Sequence, residues 1–270
     1  GGFAPNGLSG IGAGAAIIFF SYIGFDAVST AAEESKDPGK DMPFGIIMSL
    51  AICTVLYIAL SAVMTGIAPW QTLGTAEPMI TALTFAEGPP RLLSASRFII
   101  SLGAVIAMFS VLLVFQLGQP RIFMSMSRDG LLPPFLAKVH PKFKTPYVGT
   151  ILTGIFVGVF AAFANIAEVV DLTNIGTLFA FVLVSLGVIV LRYKEPERVR
   201  PFRVPFVPWT PMISIVACLY LMFKLPKVTW ERFGIWLLVG LVIYFLYGVR
   251  HSRLRIKDAA GQGGSGAAGQ

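Results

Sequence analysis

The chain alternates long apolar runs with short connections that are rich in proline and charge. A membrane-crossing helix needs about 20 consecutive apolar residues, and seven segments reach or approach that length. These segments are Ile11–Ala32, Phe44–Ala68, Phe98–Gln119, Tyr147–Phe163, Leu172–Leu191, Trp209–Phe223 and Phe233–Val249. The pattern predicts an all-α polytopic membrane protein with seven transmembrane helices, the fourth and sixth being short for a crossing.

The first apolar segment carries polar and small residues where a spanning helix is normally uniform. Gly24 and Asp26 lie close to the middle of Ile11–Ala32. A carboxylate at that depth costs about 2.5–3.5 kcal/mol on insertion scales. Chains tolerate that cost where a helix breaks and its backbone faces a cavity or another helix. We therefore expect an interruption within Phe20–Phe25 that leaves two or more carbonyls without intrahelical partners, as in the broken helices of secondary transporters.

Composition and charge placement agree with a membrane protein. Hydrophobic residues make up 55% of the chain and charged residues only 13%, whereas soluble domains carry about 25% charged residues. Alternate connections hold 16 of the 21 basic residues, so the positive-inside rule places those connections in the cytoplasm. This predicts a multi-pass protein of the cell membrane with an outer N-terminus and a cytoplasmic C-terminus. The net charge then reflects topology and lipid contact, with no nucleic-acid partner.

Enzyme chemistry lacks the necessary residues. The two histidines, His140 and His251, both lie in or beside polar connections, and no His-Glu-x-x-His pattern occurs. No catalytic set, metal-ligand cluster, cofactor motif or phosphate-binding loop is found in the sequence. Cys53 and Cys218 lie in apolar segments, where a disulfide is not expected. The sequence therefore supports neither an enzyme nor transport powered by ATP on this chain, and it indicates no cofactor.

Three motifs resemble the cationic amino-acid transporter family of the amino acid–polyamine–organocation superfamily. Phe19–Glu34, with the sequence FFSYIGFDAVSTAAEE, followed by Lys36-Asp37-Pro38, is similar to the sixth helix of that family. Pro120–Pro133 is similar to the end of its eighth helix, and Arg200–Pro205 to the stretch before its eleventh. The motifs occur in the family's order, and the resemblance covers almost the whole chain.

The resemblance implies a domain organisation. Family members have about twelve helices, in two inverted five-helix repeats and two peripheral helices, and this chain resembles helices six to twelve. Residues 1–191 would form the second repeat of a LeuT-like inverted-repeat core, and 192–257 a cytoplasmic linker with the peripheral helices. Residues 258–270, rich in Gly and Ala, would form a disordered cytoplasmic tail. The first repeat is absent. Either the chain is a fragment of a longer protein, which we expect, or a separate chain supplies the other half.

The resemblance also assigns substrate-binding residues to the first segment. The carbonyls of Phe20, Ser21 and Ile23 would meet the amine of an amino acid, since freed carbonyls at a half-helix end suit an ammonium group. Phe20 would close over the substrate as a gate, or it is an ordinary core or lipid-facing Phe. Tyr22 would supply a hydroxyl or anchor a neighbouring helix. Gly24 would permit the non-helical turn, with close helix packing as its alternative role.

Acidic residues after the break are candidates for gating. Asp26 would form a structural hydrogen bond or a gate, a role favoured over proton relay. Glu33 and Glu34, at the cytoplasmic edge, would pair with a basic side chain or simply face solvent. Ser110 is a weaker candidate for an ion site, because Ser in a membrane helix more often bonds its own preceding carbonyl.

Two functions of different classes follow. The first is a proton-coupled amino acid permease that works by alternating access, whose partners are a small neutral or cationic amino acid, protons, membrane lipid and the absent first half. The second is a truncated, non-transporting membrane scaffold that needs a partner chain.

The outer connection Pro69–Ser96 contains an apolar stretch, Pro78–Phe85, that predicts a short helix and would act as a lid or a packed surface loop.

Overall fold

The structure is a computed structural model that describes residues 5–75, 77–197 and 199–252. Within these residues it contains helices and no strands. The α-helices are α1 (Gly7–Ile18), α2 (Pro38–Ile67), α3 (Pro78–Thr84), α4 (Pro90–Arg128), α5 (Tyr147–Phe163), α6 (Ile166–Lys194), α7 (Trp209–Lys224), α8 (Lys227–Ile243) and the short α9 (Val249–His251). The chain is therefore all-helical, as the sequence predicts.

Five stretches of the described chain are long and apolar enough to cross a membrane. They are Gly7–Thr30, Pro38–Ile67, Pro90–Arg128, Ile166–Lys194 and Lys227–Gly248. α5 and α7 are apolar but shorter, with 17 and 16 residues, which corresponds to about 25 Å of helix. The large exposed side chains along these helices are mostly apolar, and in a membrane protein such surfaces face lipid or other helices. The protein is a multi-pass membrane protein.

The chain divides into two compact units, each with its own packing. One unit comprises residues 24–117, and the other comprises residues up to Ile23 together with those from Gly118 onward. The boundaries fall between Ile23 and Gly24 and within α4. In the 24–117 unit, the 3₁₀ helix Phe25–Glu34 packs along α2, and α3 also contacts α2.

The other unit holds the main buried core of the described chain. α6 and α7 form its central pair, and α1 and α8 pack against them. The buried side chains of this core are Ala16, Ile175, Leu178, Val182, Cys218, Met222 and Leu225. α1 approaches α7 closely, because a Cβ at Gly12 would overlap the Tyr220 hydroxyl. The end of α1 that leads into the predicted break is thus fixed in the most densely packed part of this unit.

Several helices extend beyond the predicted apolar segments, and two of these extensions involve a proline. α2 begins at Pro38, so the predicted connection Glu33–Pro43 shrinks to three residues. Pro38 is suited to a first helical position, where its missing N–H is not needed. α4 continues beyond Gln119 through Pro120 to Arg128. Pro120 is fully buried inside this helix, and its ring faces α5 at Gly149, where an added Cβ would lie 3.3 Å from it.

The short helix predicted within the Pro69–Ser96 connection is confirmed. α3 spans Pro78–Thr84, within the predicted Pro78–Phe85 stretch, and begins with proline at its first position. The predicted disordered tail, residues 258–270, lies outside the described residues.

Candidate functional site

The predicted interruption of the first apolar segment is present. α1 ends at Ile18, and the chain tightens into a 3₁₀ turn over Phe19–Tyr22. Ile23 then leaves helical geometry altogether, with φ −62° and ψ 132°. We call residues Phe19–Gly24 the break. An extended residue at this point prevents the i→i−4 ladder from continuing.

Gly24 is the residue that makes the turn possible. Its backbone φ is +123°, a value that residues with a side chain rarely adopt. Space is not the limitation, because a Cβ at this position would lie 3.8 Å from a Phe115 ring carbon, an ordinary contact distance. Glycine is therefore required here for its backbone freedom rather than for close packing, which decides between the two roles predicted for it.

The Asp26 carboxylate stabilises the chain just after the break. The Gly24 N–H donates to Asp26 Oδ1 at 3.2 Å. Downstream, the hydroxyl of Ser29 donates to the Asp26 carbonyl at 2.6 Å, and that of Thr30 to the Ala27 carbonyl at 2.7 Å. Asp26 thus makes a local structural hydrogen bond, one of the roles predicted for it.

The second half of the segment is a 3₁₀ helix of ten residues, Phe25–Glu34. Runs beyond three or four residues are uncommon in 3₁₀ geometry, and such stretches often mark a hinge. The backbone of Glu33 and Glu34 belongs to this helix, but their side chains lie outside what the structure describes. Their predicted gating role stays a prediction.

The carbonyls of the break differ in availability. The Ile23 N–H donates to the Phe20 carbonyl at 3.1 Å, so Phe20 already has an intrahelical partner, in contrast to the expectation that it would be freed. It keeps a second lone pair for another donor. Ser21 and Tyr22 take part in interactions of their own. Ile23 is itself the extended residue, so its carbonyl departs from the direction that helical carbonyls take.

The side chains of the break are unequally exposed. Phe20 is 41% exposed and Ser21 is also exposed, while Tyr22, Ile23, Gly24 and Asp26 are intermediate. Phe19 instead packs edge-on against Phe181 of α6, with ring centroids 6.2 Å apart. Two adjacent phenylalanines therefore have different environments: Phe19 anchors the break, and Phe20 is open to a ligand or another segment.

Ser110 makes the bond expected of an ordinary helical serine. Its hydroxyl donates to the Ile106 carbonyl at 3.0 Å. Among the described residues, no group of three or more His, Cys, Asp and Glu side chains is placed to hold a metal ion.

The two other sequence motifs end helices. α4 stops where Gly130 adopts a φ of +82° and the Leu131 N–H donates back to the Met126 carbonyl at 2.9 Å, the bond of a glycine-terminated helix. The guanidinium of Arg200 donates to the carbonyls of Leu191 and Glu195 at the end of α6, at 2.9 and 2.7 Å. A cation is favourable at a helix C-terminus.

A groove of about 500 Å³ lies between α5, α6 and α8. Aromatic side chains such as Phe156, Phe160 and Trp236 line it, and Gly176 and Gly240 make room for it. Its walls are almost entirely apolar, so they offer nothing to the ammonium or carboxylate of an amino acid. The groove is suited to hydrocarbon.

Sequence reasoning did not identify Asn174. This α6 residue has no exposed surface, and its Nδ2 donates to the Ala16 carbonyl of α1 at 3.1 Å. The sequence contains one weak signal, an amide one turn after Asp171 in an apolar helix. Its partner lies 158 positions away and has no local signature.

Known proteins are similar to this chain over most of its length. The family model described as amino acid permease matches residues 2–246. The chain is 50% identical to the methylthioribose transporter of Bacillus subtilis over 252 residues, covering 93% of this chain and 54% of that protein. It is 48% identical to the branched-chain amino acid permease BcaP of the same organism, covering 93% and 53%.

A plant relative is also similar. The vacuolar cationic amino acid transporter 4 of Arabidopsis thaliana is 42% identical over 198 residues, covering 73% of this chain and 32% of that protein. The chain spans about half the length of the two bacterial relatives. The names of these relatives are those of transporters and not of enzymes. With a family match across nearly all its residues, the chain belongs to the amino acid permease family.

Proposed function

We propose that the chain forms the second half of a secondary active amino acid transporter with a LeuT-like inverted-repeat fold. Residues 1–191 would be the second five-helix repeat and 192–257 the linker and peripheral helices, which makes seven transmembrane helices. The observation that carries the proposal is the break at Ile23–Gly24 in a stretch apolar enough to span a membrane. Family membership and the seven apolar helices support it.

The amine of the substrate binds at the carbonyl end of α1. A half-helix C-terminus carries partial negative charge, and carbonyls there suit an ammonium group. Ile23 and Ser21 supply carbonyls, and Phe20 contributes the second lone pair of its carbonyl. The Phe20 ring, exposed at this position, closes over the substrate, and Tyr22 borders the same pocket. Gly24 allows the chain to turn.

Gating follows from the acidic residues beyond the break. Asp26 fixes the turn at Gly24 and so determines where the second half of the segment begins. Glu33 and Glu34 pair with basic side chains when the cytoplasmic side is closed. Alternating access moves the broken segment against a scaffold, and an inward proton gradient drives it.

A first repeat, from outside this chain, completes the pocket and binds the carboxylate of the substrate. The match to only about half of each bacterial relative supports this arrangement. The cell membrane holds the protein with the N-terminus of this chain outside and its C-terminus in the cytoplasm, because the basic connections lie on one side.

The substrate is a small neutral or cationic amino acid. The relatives are named for branched-chain amino acids, for cationic amino acids and for methylthioribose. No carboxylate of the described spanning helices lies at the break to select an arginine or lysine side chain, other than Asp26, which is engaged with Gly24.

Uptake into proteoliposomes tests the proposal. The complete transporter would be assayed with labelled alanine, leucine, arginine and methylthioribose, with and without an inward proton gradient. We expect saturable uptake of at least one amino acid, increased by the gradient. Uptake of methylthioribose alone would overturn the amino acid assignment, and uptake indifferent to the gradient would overturn proton coupling.

A further inference from the structure

We propose that Asn174 is a positioning residue that holds the end of α1 and thereby sets the geometry of the break. This role is distinct from any contact with substrate. It rests on the proposed function only for its transport readout. The juxtaposition that carries it is the bond from the fully buried Asn174 amide to the carbonyl of Ala16, two residues before α1 ends.

The bond satisfies a backbone group that the break exposes. The carbonyls in the last turn of an α-helix lack the regular N–H at i+4. In α1 the Phe19 N–H still donates to the Ala15 carbonyl, and the helix stops at Ile18, so the Ala16 carbonyl is the first beyond the regular ladder. Ala16 is only 1% exposed, so water is excluded from the site. An amide from another helix therefore replaces the continuation of the ladder, and the direction is fixed, because a carbonyl can only accept.

The depth of the bond makes it a strong constraint. Ala16 is the tenth residue of α1, about 15 Å from the start of the helix, and lies within the apolar stretch Gly7–Thr30 that is long enough to span a membrane. Buried polar groups in that setting depend on protein partners. Around the bond, Ile175 and Leu178 are fully buried, so the Asn174 side chain is held in place.

Asn174 carries an unsatisfied acceptor in this conformation. Its Oδ1 is buried without a hydrogen-bond partner, which is unfavourable for a buried polar atom. For packing alone, leucine has the same branching and the same number of side-chain heavy atoms, and it would fill this position without that penalty. The donor half of the amide is what justifies an asparagine here, since it is the half that reaches Ala16.

Neighbouring contacts explain how the constraint reaches the break. Phe19, three residues after Ala16, packs against Phe181 of the same helix α6. Asn174 and Phe181 are two turns apart on α6. Together they attach both sides of the α-to-3₁₀ transition at Ile18 to α6, and so orient the carbonyls of Ser21 and Ile23.

Hydrogen exchange on the 270-residue chain in lipid nanodiscs tests the proposal directly. Asn174→Leu removes the donor and the unsatisfied acceptor while keeping the branching and the number of side-chain heavy atoms. We expect the amides of residues 19–23 to exchange at least about fivefold faster, the effect of one typical intramolecular hydrogen bond. Asn174→Ala carries the same expectation if leucine prevents folding, because it removes the donor without adding bulk.

The matched control is Thr153→Val on α5. Thr153 Oγ1 is the other buried side-chain atom without a partner among the described residues, so valine also deletes an unsatisfied polar atom. Exchange of residues 19–23 should be unchanged in this variant. Unchanged exchange in both Asn174 variants, or equal acceleration in Thr153→Val, would overturn the positioning role.

Transport separates this inference from the proposed function. In the complete transporter, Asn174→Leu should raise KM about fivefold through the displaced carbonyls, while Thr153→Val leaves KM unchanged. Failure of the wild type to transport any amino acid would refute the proposed function, and the exchange measurement would still decide the role of Asn174. Faster exchange with an unchanged KM would overturn the link from the Ala16 bond to the substrate.

Discussion

At the residue scale, the break depends on one backbone conformation. Gly24 follows the extended Ile23 and has a φ of +123°, in open space rather than in a tight contact. Any side chain at position 24 therefore opposes the turn through its own backbone preference. The same residue type serves a different purpose at Gly149 and Gly12, where it allows neighbouring helices to approach.

Gly24→Ala should destabilise the protein and impair uptake. Backbone strain of this kind costs about 1–3 kcal/mol. The control is Gly14→Ala in α1, where nothing lies within 4 Å of the added Cβ and the backbone is helical. Alanine there should stabilise the helix by about 0.5–1 kcal/mol. Thermal unfolding in detergent would show opposite shifts in Tm, and a Tm shift of the same sign in both variants would contradict this account of Gly24.

The predicted gate at Phe20 needs a control of equal exposure. Phe179 packs edge-on against Phe233, and Phe181 against Phe19, so alanine at either position would remove packing within the core. Phe160 is 44% exposed, close to the 41% of Phe20, and is the better comparison.

Phe20→Ala should reduce amino acid uptake at least about tenfold, because the ring would no longer close over the bound amine. The control, Phe160→Ala, should change uptake less than about twofold. Initial rates in proteoliposomes, normalised to the amount of folded protein, would measure this. Equal and small effects of the two substitutions would show that Phe20 is an ordinary lipid-facing residue and not a gate.

At the element scale, the first apolar segment is built from two unlike halves. α1 is an ordinary α-helix anchored on α6 and α7, whereas Phe25–Glu34 is an unusually long 3₁₀ helix. The tighter geometry has poorer hydrogen bonds, and the hydroxyls of Ser29 and Thr30 supplement them. Such geometry is typical of a hinge, which would agree with the movement proposed for this segment.

Substitutions at Asp26 test whether that segment needs a negative charge or only a hydrogen-bond acceptor at this position. Asp26→Asn keeps an oxygen that accepts from the Gly24 N–H, so uptake and its response to a proton gradient should stay within about twofold of wild type. Asp26→Ala removes the acceptor and should lower uptake about fivefold, the effect of one lost hydrogen bond. Initial uptake rates would be measured at two external pH values. Loss of proton-driven uptake in the asparagine variant would show instead that Asp26 carries the coupled proton.

At the scale of the whole molecule, the described chain has a small buried core and wide apolar surfaces. The core of the unit containing α6 and α7 holds few buried side chains, while the exposed large hydrophobics are spread over α2, α4, α5 and α8. In a bilayer, such surfaces are covered by lipid tails or by further helices. The nearest basic residue along the chain from the break is Lys36. The proposed first repeat would therefore provide the rest of the pocket.

The 270-residue chain alone should therefore bind an amino acid at least about 100-fold more weakly than the complete transporter, a difference of about 2.7 kcal/mol. Losing the carboxylate half of the site accounts for a loss of that size. Calorimetric titration of both proteins with alanine and arginine would measure it. Parent-like affinity of the 270-residue chain would mean that the first repeat is dispensable for binding.

The sequence by itself determined the features that depend on short-range physical chemistry. The seven apolar segments can be found from their length, because the thickness of the bilayer sets the number of apolar residues that a crossing helix needs. Gly24 and Asp26 in the middle of an apolar run predict the break, because each is unfavourable in a continuous spanning helix. Pro78 predicts the start of α3, since proline is suited to a first helical position. The motifs around Phe19–Glu34 also indicate the family, which the comparison confirms.

Only the tertiary structure decided the features that depend on distant partners. Pro120 of α4 packs against Gly149 of α5, a contact that no local pattern indicates. The Arg200 guanidinium donates to the Leu191 carbonyl at the end of α6, and the sequence around Arg200 does not point to this bond. Asn174 in an apolar helix has no local pattern that points to Ala16, 158 residues away. Propensity and periodicity act over a few residues, whereas a buried amide is placed by the packing of whole helices against one another.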